Sequence, residues 1–327
     1  MRSLVPFAAL SLFPFPLAAQ DAPAAAAQAP AAQAPALQLP AAGSPEATAL
    51  FVRACNRMLA AGSGTFRTDE EQDSAIMRGQ NLPGGLSHDP PSIRGGWSSD
   101  LLWAETDDDT FATRNGATVA KTDGGWKLRA RTLASGAQRP FVLSPTLLFT
   151  QLAKLPVAQQ RVANVEAGEA GGKPVAILAL SFTGPTADDL ALGGALPATG
   201  GAFLFGGLPG GSGAPEKTYT VDLALFVEPT SGDVLRLRAK VYEDNPMLAN
   251  MRIRFGGGGG GDGDADEPAA KTPAAATTAA PVIKKGLPER TPGGTESVAY
   301  LKADFKDLGS AKPPSIDDAG KSWLGIK

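Results

Sequence analysis

Alternation of apolar and polar positions is most regular in TYTVDLALFVEPTSGDVLRLRAKVYE, residues 218–243. The pattern predicts two β-strands joined by a turn, because side chains in a strand point alternately to opposite faces. One face of this hairpin is expected to be apolar, and it comprises Tyr219, Val221, Leu223, Leu225, Val227, Leu235, Leu237, Ala239 and Val241. The second strand has Arg236, Arg238 and Lys240 on its other face, so an Arg238→Glu substitution is expected to be nearly neutral.

Helical and strand patterns flank this hairpin in a fixed order. Ser-Pro pairs at 44–45 and 144–145 open two amphipathic helices that end near Gly62 and Pro156. Alternating segments predict about eight strands in total, with few helices. Besides the hairpin at 218–243, the predicted strands are 64–70, 96–106, 109–116, 125–131, 161–170, 174–182 and 297–309, followed by a short helix at 315–323.

Several segments have compositions that do not favour a packed core. Residues 1–19 are typical of a cleaved signal peptide, with Arg2 before a proline-interrupted apolar run and small residues at Leu17-Ala18-Ala19. Residues 20–43 are an Ala/Pro/Gln-rich stretch that predicts a disordered linker. We therefore expect a single domain at 44–323 with two insertions, a Gly-rich loop or flap at 183–216 and a disordered segment at 256–295.

Charge, hydrophobicity and cysteine content argue against nucleic acid as a partner and against attachment to a membrane. The 30 Lys and Arg residues against 33 Asp and Glu residues give a net charge of −3, which supplies no basic field for nucleic acid. No segment is long and apolar enough to predict a transmembrane span. The single cysteine, Cys55, falls in a helical pattern and is expected to be a buried apolar residue. The end of the predicted signal peptide has no cysteine, so we expect a periplasmic or secreted protein without a lipid anchor.

Candidate catalytic and metal-binding residues are few. His88 is the only histidine and lies in a turn-rich segment, and Asp107-Asp108-Asp109 fit a solvated turn better than a positioned acid–base pair. The run Asp262 to Glu267 matches the first half of an EF-hand loop, but Glu267 and Pro273 stand where glycine and a bidentate glutamate are needed. The sequence therefore predicts no enzyme activity, no metal site and no cofactor.

The order of elements resembles the LolA/LppX-like superfamily of bacterial envelope lipoprotein carriers and lipid-binding proteins. The most specific similarities are the turn at Val227 to Asp233, which is similar to the family's Asp-Pro-x-Thr-Gly turn, and the closing strand Ala303 to Gly309. The resemblance covers residues 45–182 and 217–323. It departs from the family in the two long insertions and in the alanine-rich linker. The chain also lacks a lipobox cysteine, which distinguishes it from the acylated members and is compatible with the soluble carriers.

The resemblance implies an α+β fold in which a strongly curved antiparallel sheet, a half-barrel, has covering helices on its concave face. It also implies an apolar cavity between sheet and helices that holds acyl chains. The residues expected to line that cavity are Leu101, Trp103, Trp126, Leu128, Ile177, Leu223, Leu225, Leu235 and Leu237.

Two functions remain open from the sequence. The first is an exported binding protein for a lipid, a lipoprotein acyl chain or another apolar ligand, with an envelope protein or an acylated lipoprotein as a further partner. The second is a protein-interaction, stress-regulator or scaffold module of the same fold, in which the chain's own side chains fill the hollow. Eight strands present more apolar surface than two short helices can cover, which favours the first.

Overall fold

A computed structural model describes residues 38–73, 92–106, 109–129, 141–197, 217–244, 246, 286–293 and 295–326. All described residues belong to one compact unit. The predicted signal peptide, most of the predicted linker, His88 and the Asp262–Glu267 run lie outside the described residues.

The described residues form one open, curved antiparallel sheet of eleven strands. Its spatial order is β6-β5-β4-β3-β2-β1-β11-β10-β9-β8-β7, so the first and last strands pair in the middle. The strands are β1 Ser63–Asp73, β2 Ile93–Ser98, β3 Leu101–Glu105, β4 Thr110–Arg114, β5 Ala117–Thr122, β6 Gly125–Leu128, β7 Asn164–Ala170, β8 Lys173–Thr183, β9 Thr218–Val227, β10 Val234–Asp244 and β11 Glu296–Lys306. The predicted α+β class with a curved, unclosed antiparallel sheet is confirmed.

Four α-helices lie within the described residues: α1 Pro45–Ala61, α2 Pro145–Ala153, α3 Pro185–Leu192 and α4 Asp318–Leu324. The caps of α1 follow the sequence signals, because the Ser44 side chain accepts a hydrogen bond from the Ala47 amide. Gly62 ends this helix in the left-handed conformation at φ 65°, which glycine adopts without steric cost. Helix α3 was not predicted; it lies at the start of the insertion expected at 183–216.

The strand predicted at 96–106 is two strands, β2 and β3, joined by a tight turn. Ser99 has φ 54° in that turn, and Ser98 pairs with Leu101 directly across it. The sequence suggested a continuous strand because no glycine or proline marks the turn. This turn determines which side chains of β3 face the core.

The two faces of the sheet are covered by different elements. We call the inner face the one packed against α1, α2 and α3, where the main hydrophobic core contains Phe51, Leu148 and Leu190 from the three helices. The other face, the outer face, is covered at two places. Residues 286–293 cross β8 to β10, and residues 315–326 with α4 cover β4 to β6.

Candidate functional site

The residues predicted to line an apolar cavity are divided between the two faces of the sheet. Residues paired directly across neighbouring strands lie on the same face of the sheet, so the strand registers show on which face each predicted residue lies. Only Leu223, Leu225 and Leu237 are on the inner face. The outer-face residues are Leu101, Trp103, Trp126, Leu128, Ile177 and Leu235.

The turn at Ser99 explains the position of Leu101 and Trp103. In one continuous strand these residues would share a face with Trp97, which packs in the main core. The turn instead pairs Trp97 with Leu102 and places Leu101 and Trp103 on the outer face. A two-residue interruption therefore reversed the predicted face of β3.

A β-bulge has the corresponding effect on Leu235. The register of β10 against β9 shifts between Val234 and Arg236. As a result Val234 packs in the main core, whereas Leu235 contacts the outer-face cluster that contains Ile177 and Phe226. The prediction that Leu235 and Leu237 share a face is wrong, because a bulge adds one residue to the alternation.

The centre of the inner face is filled by the chain's own side chains. Leu223, Leu225 and Leu237 have 0% exposed surface and belong to the core formed with the three helices. Next to them, Trp97 and Phe149 both make edge contacts with Phe305, at centroid distances of 6.1 Å. At this centre the packing leaves these leucines no exposed surface for a ligand to contact.

Toward β3, β4 and β5 the inner face is less completely covered. Leu102 and Phe111 are half-buried apolar residues that pack against the edge of the main core. Thr113 and Thr118 lie beyond them on the same face, and their hydroxyls are 3.0 Å apart. The sequence-based prediction missed Leu102 and Phe111. It treated residues 96–106 as one strand, and this placed Leu101 and Trp103, instead of Leu102, on the face that is packed against the core. The alternation of Leu102 and Phe111 with Leu101 and Ala112 is the signal that could have found them.

On the outer face, Trp126 is held by the C-terminal segment. Its backbone amide donates to Asp317 Oδ2 at 2.9 Å and its indole nitrogen donates to the Ser315 carbonyl at 3.1 Å. Asp317 Oδ1 also accepts from the Gly320 amide, and these two backbone hydrogen bonds lower the pKa of Asp317. Trp126 therefore has a structural role, while Leu128 in the same strand remains 46% exposed.

Two of the three basic side chains of β10, Arg238 and Lys240, are buried, contrary to their expected exposure. Arg238 is 4% exposed and its guanidinium lies 4.9 Å from the centroid of the Phe226 ring. Lys240 is 2% exposed and donates to the Pro288 carbonyl at 2.7 Å. The expectation that Arg238→Glu is nearly neutral is wrong, since the substitution would place a carboxylate in a buried site against an aromatic ring.

Polar groups on the inner face are found where β9 begins and β10 ends. The buried Glu243 carboxylate pairs with Lys217 at 2.8 Å and accepts a long hydrogen bond from the Tyr219 hydroxyl at 3.5 Å. Burial, with a smaller contribution from Glu243, raises the pKa of Tyr219 to about 12. This hydroxyl is therefore protonated at neutral pH and acts as a hydrogen-bond donor.

Cys55 and the acidic residues offer little chemistry within the described part of the chain. Burial raises the pKa of the Cys55 thiol to about 12, which confirms the predicted apolar role and makes it a poor nucleophile. Among the described residues, no group of three or more His, Cys, Asp or Glu side chains is placed to hold a metal ion.

Two open depressions lie away from the predicted residues, one beside α1 and one between residues 158–163 and the end of β8. One, of about 740 Å³, is lined by Pro45, Ala49, Val52, Arg53 and the exposed Val157, among others. The other, of about 540 Å³, has a more polar lining that includes Arg161, Ser181 and Thr186. None of the predicted ligand-binding residues contributes to either depression.

Comparisons with known proteins give matches in structure alone. No protein-family model matches the sequence, and no curated protein is significantly similar to it. Among solved structures, the chain is similar to the Mycobacterium tuberculosis lipoprotein LppX, with 8% identity, a TM-score of 0.37 and coverage of 84% of this chain and 100% of LppX. LprF from Mycobacterium bovis matches with 8% identity and a TM-score of 0.38, over 85% of this chain and 99% of LprF.

A third match is a LolA superfamily protein from Nitrosomonas europaea, with 9% identity and a TM-score of 0.21, over 82% of this chain and 94% of that protein. Because these TM-scores are below 0.5, we draw no conclusion from the matches about a ligand or a site. Among the described helices, none is both long and apolar enough to cross a bilayer.

Proposed function

We propose that this protein binds a lipid or another apolar ligand on the inner face of β3, β4 and β5. The observation that carries the proposal is the incomplete cover of this surface, where Leu102 and Phe111 are half-buried next to a fully packed core. A ligand that covered them would remove apolar surface from water, and each Å² buried in this way would contribute about 25 cal/mol to the free energy of binding. The binding surface thus differs from the set of residues that the sequence predicted.

The chemistry of this surface fits a hydrocarbon chain better than a polar metabolite. Leu102 and Phe111 present aliphatic and aromatic surface, and Ala104 and Trp97 extend it toward the core. Beyond them the hydroxyls of Thr113 and Thr118 are close enough to hydrogen-bond each other. Each methylene buried there would contribute about 0.8 kcal/mol, so even part of an acyl chain would give measurable affinity.

Export and the absence of catalysis form part of the same proposal. A signal peptide at 1–19 would deliver the chain to the periplasm or the exterior, where a carrier of lipids or lipoprotein acyl chains would operate. An envelope protein or an acylated lipoprotein would then be the partner that supplies or accepts the ligand. The protein would act by binding, with residues 44–323 as a single domain after the linker at 20–43.

A fluorescent fatty-acid probe tests the binding surface. Phe111→Glu places a carboxylate on the proposed surface and should weaken probe affinity at least about tenfold, because the charge must lose its hydration next to the acyl chain. Leu128→Glu is the matched control, since Leu128 is apolar, 46% exposed and on the outer face of the same part of the sheet. Equal affinity of both variants, at unchanged thermal stability, would place the probe elsewhere.

The scaffold function is supported by the filled centre of the inner face, where Leu223, Leu225 and Leu237 are fully buried. Organic extraction of the natively purified protein separates the two functions. A carrier should yield copurified lipid, whereas a scaffold should yield none and should also fail to bind the probe in its wild-type form.

A further inference from the structure

The chain between β10 and β11 ends in a segment that packs on the outer face without joining the sheet. We call this segment, Gly286–Gly293, the strap. Its Leu287 side chain is 6% exposed and packs in an apolar cluster with Ile177, Ala224 and Phe226. The other side chains of the strap are exposed or half-buried, so Leu287 is its single apolar anchor.

Polar contacts hold the strap at three further points. The Lys240 ammonium donates to the Pro288 carbonyl at 2.7 Å. The Arg290 guanidinium lies 4.8 Å from the centroid of the Tyr242 ring and forms an ion pair with Glu296. The other carboxylate oxygen of Glu296 accepts from the Gly293 amide at 2.6 Å. Glu296 is therefore the residue that fastens the far end of the strap to the first position of β11.

The sheet beneath the strap is held by separate interactions. Strands β8, β9, β10 and β11 form continuous antiparallel ladders, and none of the registered pairs involves a strap residue. Among the described residues the strap buries one apolar side chain and pairs with no strand, and such a segment has a lower local stability than a continuous sheet. Opening of the strap would leave the ladders and the inner-face core intact.

We propose that the strap is a latch that opens while the sheet beneath it stays folded. Opening exposes Ile177, Ala224 and Phe226, which Leu287 now covers, next to Lys240 and Tyr242. The strap lies on the face opposite to the proposed ligand surface, so the latch and the ligand site are separate.

Thiol labelling measures the opening directly. In a Leu287→Cys variant, the new thiol reacts only when the strap opens, and the fully buried Cys55 reacts only when the core around α1 unfolds. The two rates, followed by mass spectrometry of the labelled peptides, therefore compare local with global opening in one molecule. The latch predicts that position 287 is labelled at least about tenfold faster than Cys55. Equal rates would overturn the proposal.

Glu296→Gln in the same background tests which contact closes the latch. Loss of the charge-assisted contact with Arg290 should raise the labelling rate at position 287 about tenfold, with no change at Cys55. Asp304→Asn is the matched control, because Asp304 pairs with Arg236 on the same face without contacting the strap. An unchanged rate in Glu296→Gln, or an equal increase in Asp304→Asn, would contradict the assignment of Glu296 as the closing contact.

Discussion

Single residues on this sheet have environments that depend on strand phase more than on residue type. Leu102 and Leu101 are neighbours in sequence, yet the first belongs to the edge of the main core and the second to the cluster under α4. In the same way Arg238 and Lys240 are buried although both are basic. A one-residue change of phase exchanges the two faces, because the side-chain repeat of a strand is two.

Leu237→Trp tests whether the centre of the inner face is packed. Because Leu237 is fully buried in the main core, the larger side chain should lower the free energy of unfolding by about 1–3 kcal/mol, measured by urea denaturation. Leu128→Trp is the control on a 46% exposed site, with an expected change within about 0.5 kcal/mol. Wild-type stability of Leu237→Trp would instead reveal a hollow at this position.

The carboxylate of Asp317 links the C-terminal segment to pH. Hydrogen bonds from the Gly320 and Trp126 amides lower the pKa of Asp317 below its value in the unfolded chain. The stability that the ionised carboxylate contributes is therefore present above the unfolded pKa and is lost as the pH falls through the folded pKa. The amide resonances of Trp126 and Gly320 should therefore titrate together, with a midpoint below 3.8. Asp317→Asn should abolish this shared titration, and separate midpoints in the wild type would contradict the shared contact.

At the scale of elements, the irregular segments contribute more to the fold than their composition indicates. The insertion expected at 183–216 begins with α3, whose Ala187, Leu190 and Ala191 are buried in the main core. The segment expected to be disordered at 256–295 ends in the strap, which buries Leu287. In both cases a few apolar residues among glycine, alanine and proline find long-range partners that local composition does not reveal.

Two deletions separate the strap from the residues before it. Removal of 256–285 with a short closing turn should change the free energy of unfolding by well under about 1 kcal/mol, because loop-closure entropy depends only logarithmically on length. Removal of 256–295 also takes away Leu287 and the Arg290–Glu296 pair, and it should cost about 2 kcal/mol or more. Urea denaturation of the two variants gives the difference, and equal stabilities would mean that the strap contributes nothing.

At the scale of the whole described unit, the pairing of β1 with β11 joins two halves of the sheet. Strands β2 to β6 extend from β1, and β10 to β7 extend from β11. The register runs from Thr65 opposite Lys306 to Asp73 opposite Val298, so residues far apart in sequence hold the centre. Interruption of this ladder should affect both halves, whereas interruption of an edge strand should remain local.

Proline substitutions test this difference between centre and edge. Ala303→Pro removes a ladder hydrogen bond at a fully buried position of β11 and should prevent cooperative folding, as monitored by circular dichroism during thermal unfolding. Ala167→Pro is the contrasting substitution in the edge strand β7. Ala170 and Lys173 flank a two-residue turn and form a hydrogen-bonded pair, and such pairs alternate along the hairpin with non-hydrogen-bonded ones. The amide of Ala167 therefore points away from β8. This variant should fold with only a modest loss of stability. Similar behaviour of both variants would contradict the central role of β1 and β11.

The sequence by itself determined the helix starts at Ser44 and Ser144 and the 218–243 hairpin, because caps, turns and alternation act over a few residues. Only the tertiary structure decided which face of each strand is buried, because the turn at Ser99 and the bulge at Val234 each change the phase without a glycine or proline signal. It also decided that Leu223, Leu225 and Leu237 are packed core and that Leu102 and Phe111 are less covered. Burial depends on which distant elements meet, and alternation along one strand carries no information about that.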